Sequence, residues 1–245
     1  MPDIKEYYRP ESIEDALRLL TRENQRIKLL AGGTNLGSSE FTGIDAVVDL
    51  QSLGLDQVKI SPDRLEMGAM VRLKELIENP GFPDLLRKMA RRDGPNTLRN
   101  VGTIGGVIVE ADWESELYAA LLVHTASITL MSVGGSQQIP LQNLSRDAIK
   151  EAVVISVSLD PRGATAGARV ARTPADSPIV AAVGRQDEAG QVQLAFCGIG
   201  ERPLLANFEE LAGLTPPADF RGSSTYRREM AITLGKRVLD QLAKQ

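Results

Sequence analysis

RNVGTIGGV, residues 99–107, is the stretch on which the reading of this chain turns. Thr103 stands just before the step Gly105-Gly106. Such a composition suits a loop whose backbone N–H groups approach a ligand closely. The stretch runs on into EADWESE, residues 110–116, which carries the acids Glu110, Asp112, Glu114 and Glu116 and no base. A second double-glycine loop precedes it, made of Ala31, Gly32, Gly33, Thr34, Asn35 and Leu36. Two such loops brought together could set several N–H donors around one diphosphate. Each alone reads first as a turn in which glycine supplies positive φ. Neither fits the dinucleotide pattern G-x-G-x-x-G or a lysine-containing Walker loop, so a Rossmann or nucleotide-hydrolysing protein is not indicated.

Working outward, the chain alternates between α and β rhythm. Ser12 with Asp15 predicts a helix N-cap, and Leu17, Leu19 and Leu20 supply its apolar face. IKLLA at 27–31 is a short apolar strand leading into the first glycine loop, and IDAVVDL at 44–50 reads as a half-buried strand. QVKIS and RLEMGAM flank Pro62-Asp63 as a hairpin. VRLKELIEN and PDLLRKMARR read as two helices broken at Asn79-Pro80-Gly81. Residues 113–124 are expected to be one helix with acids in its first turn. SITLMS is a strand, and the tone shifts near residue 145. There AVVISVSL, ARVART, PIVAAVGR and QVQLAFCGIG open a strand-rich region, and helices over PLLANFEELAG and 224–242 close it.

Composition bounds the function. The 245 residues are 42% hydrophobic and 24% charged, as in an ordinary globular chain long enough for more than one core. The net charge is −4 and the pI about 5.3, which argues against nucleic acid or an anionic membrane as the main partner. No apolar run approaches the roughly 20 residues of a membrane span. The first residues carry no signal-peptide core, so a cytoplasmic location is expected. The one cysteine, Cys197, permits neither an internal disulfide nor an iron–sulfur cluster held by this chain alone. No metal-ligand cluster and no catalytic constellation is visible. Cys197 and the sole histidine, His124, read as packed residues. Arg91, Arg92 and Arg99 are cations that could neutralise a phosphate.

The ordered set LLAGGTNL, VVDL, GAMVRLKEL, LRNVGTIGG and ALL, with ARTPADSPIVAAV and GSSTYRREMAITLGKRVL further on, resembles the FAD-binding medium subunit of molybdenum hydroxylases. These are relatives of xanthine dehydrogenase and aerobic carbon monoxide dehydrogenase. The resemblance covers essentially the whole chain. It implies an α+β molecule with a two-part FAD-binding domain of vanillyl-alcohol-oxidase type over 1–145, its subdomains about 1–52 and 53–145. A smaller α/β C-terminal domain follows over 146–245. It further implies that FAD is held by Ala31, Gly32, Gly33, Thr34, Asn35 and Leu36 on one loop and by Thr103, Ile104, Gly105 and Gly106 on the other. Glu116 stands roughly where the family has a cofactor-binding aspartate. The implied partners are a molybdopterin large subunit and an iron–sulfur small subunit, with electrons passing from 2Fe–2S clusters through the flavin to an acceptor.

The departures from that pattern define the alternative. Asn35 replaces an aspartate, Val107 replaces an asparagine after the second double glycine, and Trp113 and Tyr118 replace small residues or prolines. The alternative is a family member with weak or lost FAD binding that serves as a structural or assembly subunit.

Overall fold

The computed structural model describes residues 4–35 and 42–245. Its first layer is a parallel three-stranded sheet of order β1-β3-β2, formed by β1 (Glu6–Tyr8), β2 (Ile27–Leu30) and β3 (Ala46–Asp49). Parallel strands need a crossover, and α1 (Ile13–Leu20) supplies the one between β1 and β2. The Ser12 hydroxyl caps α1 by accepting from Asp15 N–H, and Ala16 and Leu17 are buried. The central strand β3 is buried along its whole length. At its end Asp49 is also buried, where it accepts from the Tyr7 hydroxyl and from Gln51 N–H. The first glycine loop leaves the carboxyl end of β2, the usual ligand-facing end of a parallel sheet.

The second layer is an antiparallel five-stranded sheet of order β4-β5-β8-β6-β7. Its strands are β4 (Val58–Ile60), β5 (Leu65–Gly68), β6 (Ser127–Ser132), β7 (Gly135–Pro140) and β8 (Ala152–Leu159). The hairpin expected at Pro62-Asp63 joins β4 to β5. The strand β8, which follows the shift in tone near residue 145, lies between β5 and β6 of this sheet. Five helices connect β5 to β6: α2 (Leu73–Glu78), α3 (Asp84–Ala90), α4 (Asn96–Arg99), α5 (Ile104–Glu110) and α6 (Glu116–Val123). Two of these correct the sequence reading. The stretch containing Gly105 and Gly106 is the first turn of α5 rather than an open loop. The last helix starts at Glu116 with Ser115 as its cap, so residues 112–114 lie outside it.

The third layer is an antiparallel sheet of order β12-β11-β10-β9, from β9 (Ala164–Val170), β10 (Val180–Gln186), β11 (Val192–Cys197) and β12 (Leu204–Leu205). Helix α7 (Arg146–Lys150) precedes β8, and helices α8 (Phe208–Gly213) and α9 (Ser224–Leu242) belong with the C-terminal sheet. The apolar stripe of Ala231, Leu234, Val238 and Leu242 on α9 faces β9 and β10. Helix α6 has no polar face, since every residue from Glu116 to Val123 is buried. A helix apolar all round must be covered on all sides, and α6 is: it packs on α3, β10, β11 and β12. It therefore ties the five-stranded sheet's layer to the C-terminal sheet.

At the end of α6, His124 is fully buried. Its Nδ1 lies 2.7 Å from the Asp160 carbonyl, which can only accept, so Nδ1 carries the proton. Nε2 is buried without a partner. Burial, with Arg185 adding to it, holds this imidazole down at about 4 against an ordinary 6.5. The unfolded chain therefore takes up a proton first, and the stability this group supports is full above 6.5 and lost as pH falls toward 4. The loss is about 3 kcal/mol. We expect the stability difference between wild type and His124→Asn, measured by urea unfolding at each pH, to shrink by that amount from pH 7 to pH 4. A difference independent of pH would show that His124 titrates as it does in the unfolded chain.

Candidate functional site

The two glycine segments meet. Gly32 lies so close to the segment before α5 that a Cβ there would overlap the Val101 carbonyl, a backbone group that cannot yield. A Cβ on Gly102 would in turn stand 3.7 Å from the Thr34 methyl group. Gly33 has φ +70°, a conformation that suits glycine and strains any other residue. Among the described residues, Gly32, Gly33, Thr34 and Asn35 donate no backbone hydrogen bond. Thr34 and Asn35 are exposed, so these N–H groups stand at the surface of the fold. Leu36 lies outside the described residues.

From Ile104 onward the amides of the second segment are spent internally. Ile104 N–H donates to Val71 O at 2.9 Å and Gly105 N–H to Ala69 O at 2.8 Å. Thr103 takes the next two, with Gly106 N–H on its hydroxyl at 3.1 Å and Val107 N–H on its carbonyl at 3.1 Å. The amides expected to point at a ligand thus fasten α5 to the turn after β5 and cap it. Gly105 is required there by packing, because a Cβ would stand 2.8 Å from both Cβ and O of Ala69. Val107, where the family pattern has a polar residue, is half-buried against the core. What the second segment offers the first is a platform: Val101 and Gly102 lie under Gly32. Its other flank borders a groove of about 470 Å3 lined by Arg72, Lys74, Glu75, Glu78, Asn79 and Asn100.

The acids of EADWESE have a different occupation from any phosphate. Glu116 is buried, and its oxygens are taken by Arg92 at 2.8 Å and Arg169 at 2.9 Å. Glu114 pairs with Arg221, which also reaches Asp219 at 3.0 Å. Trp113 lies 4.7 Å under the guanidinium of Arg227, and its carbonyl accepts from Gly198 N–H at 2.7 Å. Arg227 is itself fully buried, donating to the carbonyls of Ile179 and Gly198 and to Asp219. Asp112 is exposed and accepts from Glu114 N–H. Residues 113–116 therefore form a clasp between α6 and the C-terminal unit. Sequence reasoning could not find the partners, because Arg169 stands 53 positions from Glu116 and Arg221 stands 107 positions from Glu114.

A test for FAD follows from these contacts. The loop after β2 fits a diphosphate: its N–H groups lack acceptors among the described residues, its glycine has positive φ, and its floor leaves no room for a Cβ. Of the second segment's amides from Thr103 to Val107, only the Thr103 N–H donates to no described residue, and Glu116 already carries two guanidinium partners. Among the described residues there is no group of His, Cys, Asp and Glu arranged for a metal ion. Cys197 is buried with its thiol pushed well up by burial, which makes it inert at neutral pH.

Comparison with known proteins places these features. Residues 3–159 match the family model described as the FAD binding domain in molybdopterin dehydrogenase. The glyceraldehyde dehydrogenase medium chain of Sulfolobus acidocaldarius is 27% identical over 275 residues, covering 97% of this chain and 98% of that one. The carbon monoxide dehydrogenase medium chain of Afipia carboxidovorans is 26% identical over 283 residues, covering 98% and 97%. Among solved structures, a carbon monoxide dehydrogenase from Hydrogenophaga pseudoflava superposes with a TM-score of 0.89 at 22% identity, covering 100% of this chain and 99% of that one. That last likeness is one of fold.

Proposed function

This chain belongs to the family of FAD-binding domains of molybdopterin dehydrogenases, and from that premise we propose that it is the flavin-carrying electron-transfer subunit of a molybdopterin-dependent hydroxylase. In this reading it takes electrons from 2Fe–2S clusters of a partner and passes them to an acceptor. The observation that supports it is the loop after β2, with Gly33 at φ +70° and the N–H groups of Gly32, Gly33, Thr34 and Asn35 donating to no described residue. Those four residues would hold the diphosphate, with Ala31 leading into them, and FAD would supply the redox chemistry. The protein's own part is to bind, to orient and to present the cofactor to its neighbours. One cysteine cannot hold a 2Fe–2S cluster alone, which supports a reading in which the clusters belong to a small subunit; the molybdenum centre would belong to a large one.

A second reading, a structural or assembly subunit with weak FAD binding, is favoured by one observation. The amides of Ile104, Gly105, Gly106 and Val107 are all engaged within the protein. One experiment separates the two readings. The chain is expressed with its genomic neighbours and purified, and FAD is then titrated into the isolated chain by flavin fluorescence. The electron-transfer reading expects co-purification with a large and an iron–sulfur subunit, and saturable FAD binding at one site. A chain that assembles with both partners yet takes up no FAD at any concentration would leave the structural reading.

A further inference from the structure

Beside the clasp lies a small cavity of about 30 Å3, lined by Arg92, Asp93, Ser115, Glu116 and Ser177 among others. One oxygen of Asp93, Oδ2, is sealed from solvent and has no hydrogen-bond partner. The neighbouring residue, Arg92, is one of the two cations that hold Glu116. Arg92, Asp93 and Glu116 line one cavity, so an ionised Asp93 would set a second carboxylate near a guanidinium that Glu116 already holds.

We propose that Asp93 is a proton-operated switch on the interdomain clasp. Protonated, it leaves Arg92 to Glu116, and the α6 segment stays fastened to the C-terminal sheet. Ionised, it adds a second anion beside Glu116, competes for Arg92, and loosens residues 112–116 from Arg169, Arg221 and Arg227.

The charges around the switch support this direction. From the end of α3 come Arg92 and Asp93 itself, and from α5 and the following segment Glu110, Asp112, Glu114 and Glu116. From β9 comes Arg169, and from the turn before α9 and from α9 itself Asp219, Arg221 and Arg227. The face around Ser177 and Pro178 brings no charge to the cavity. Burial pushes the Asp93 carboxyl up to about 7, with Asp112, Glu110 and Glu116 adding to it and the Ser115 hydroxyl pulling the other way. The group thus changes charge in the neutral range. His124, held down at about 4, does not.

Trp113 is the only tryptophan and sits in the clasp itself, so its emission reports closure directly. In the full chain, acrylamide quenching of Trp113 is measured from pH 5.5 to 8.5. The switch predicts quenching that rises severalfold through one transition with its midpoint near 7. In Asp93→Asn the transition is absent and quenching stays low throughout. In Asp112→Asn, which removes an exposed neighbouring charge, the midpoint moves to lower pH. Flat quenching in wild type, a transition that survives in Asp93→Asn, or an unmoved midpoint in Asp112→Asn would each overturn the proposal.

Discussion

Replacing Glu116 by alanine lowers the stability of the folded chain at neutral pH by about 3–5 kcal/mol, the cost of removing one partner from a buried ion pair. The magnitude follows from what is left behind. The Glu116 side chain is 4% exposed and Arg169, which it meets at 2.9 Å, is 13% exposed, so that guanidinium would stay in a poorly hydrated place without an anion. Arg92, at 29% exposure, can turn toward water and accounts for the smaller share. The surface pair Lys74–Glu78 serves as the control, since its partners are more than half exposed and 4.0 Å apart. Lys74→Ala should cost no more than about 0.5 kcal/mol. Urea unfolding of the three proteins, compared by midpoint and slope, measures both numbers. A Glu116→Ala change below about 1 kcal/mol would mean that water replaces the carboxylate and that the clasp contributes little.

That expectation differs from what Glu116 suggests in the sequence, and the difference shows where sequence reading runs out. Local chemistry was legible. The Ser12 cap, the hairpin around Pro62-Asp63, the apolar strand before the first glycine loop and the final helix from Ser224 to Leu242 are all set by neighbours within a few residues. The family motifs were legible too, because they are short ordered strings. Two things were not. Thr-x-Gly-Gly can open a helix or a ligand loop, and the choice was made by carbonyls of Ala69 and Val71, more than 30 positions earlier. The acids of residues 110–116 looked like an obstacle to a phosphate. Two of them, Glu114 and Glu116, are paired instead with Arg221, Arg169 and Arg92, which only the fold brings near. The strand β8 illustrates the same limit: an apolar run after a polar stretch reads as a new beginning, yet its ladder partners are β5 and β6.

The first glycine loop carries the largest expected effect on binding. Gly33→Val should reduce FAD affinity at least about a hundredfold, which corresponds to about 3 kcal/mol. The cause is conformational: a β-branched residue resists the positive φ seen at Gly33, so the loop shifts and carries its N–H groups with it. Each hydrogen bond from an N–H to a charged phosphate contributes about 1.5–3 kcal/mol, so losing one or two accounts for the whole loss. The fold should survive, because this loop is at the surface and its N–H groups hold no other described residue. Gly32→Ala separates binding from packing in the opposite way. Its Cβ would press on the Val101 carbonyl, so this variant should lose stability as well as affinity. The measurement pairs FAD titration with urea unfolding for wild type, Gly33→Val and Gly32→Ala. Gly33→Val binding FAD as wild type does, with its fold intact, would remove the loop from the cofactor site. Gly33→Val losing both binding and fold would make the loop a structural corner, and Gly33→Ala, the milder strain, then decides whether affinity falls ahead of stability.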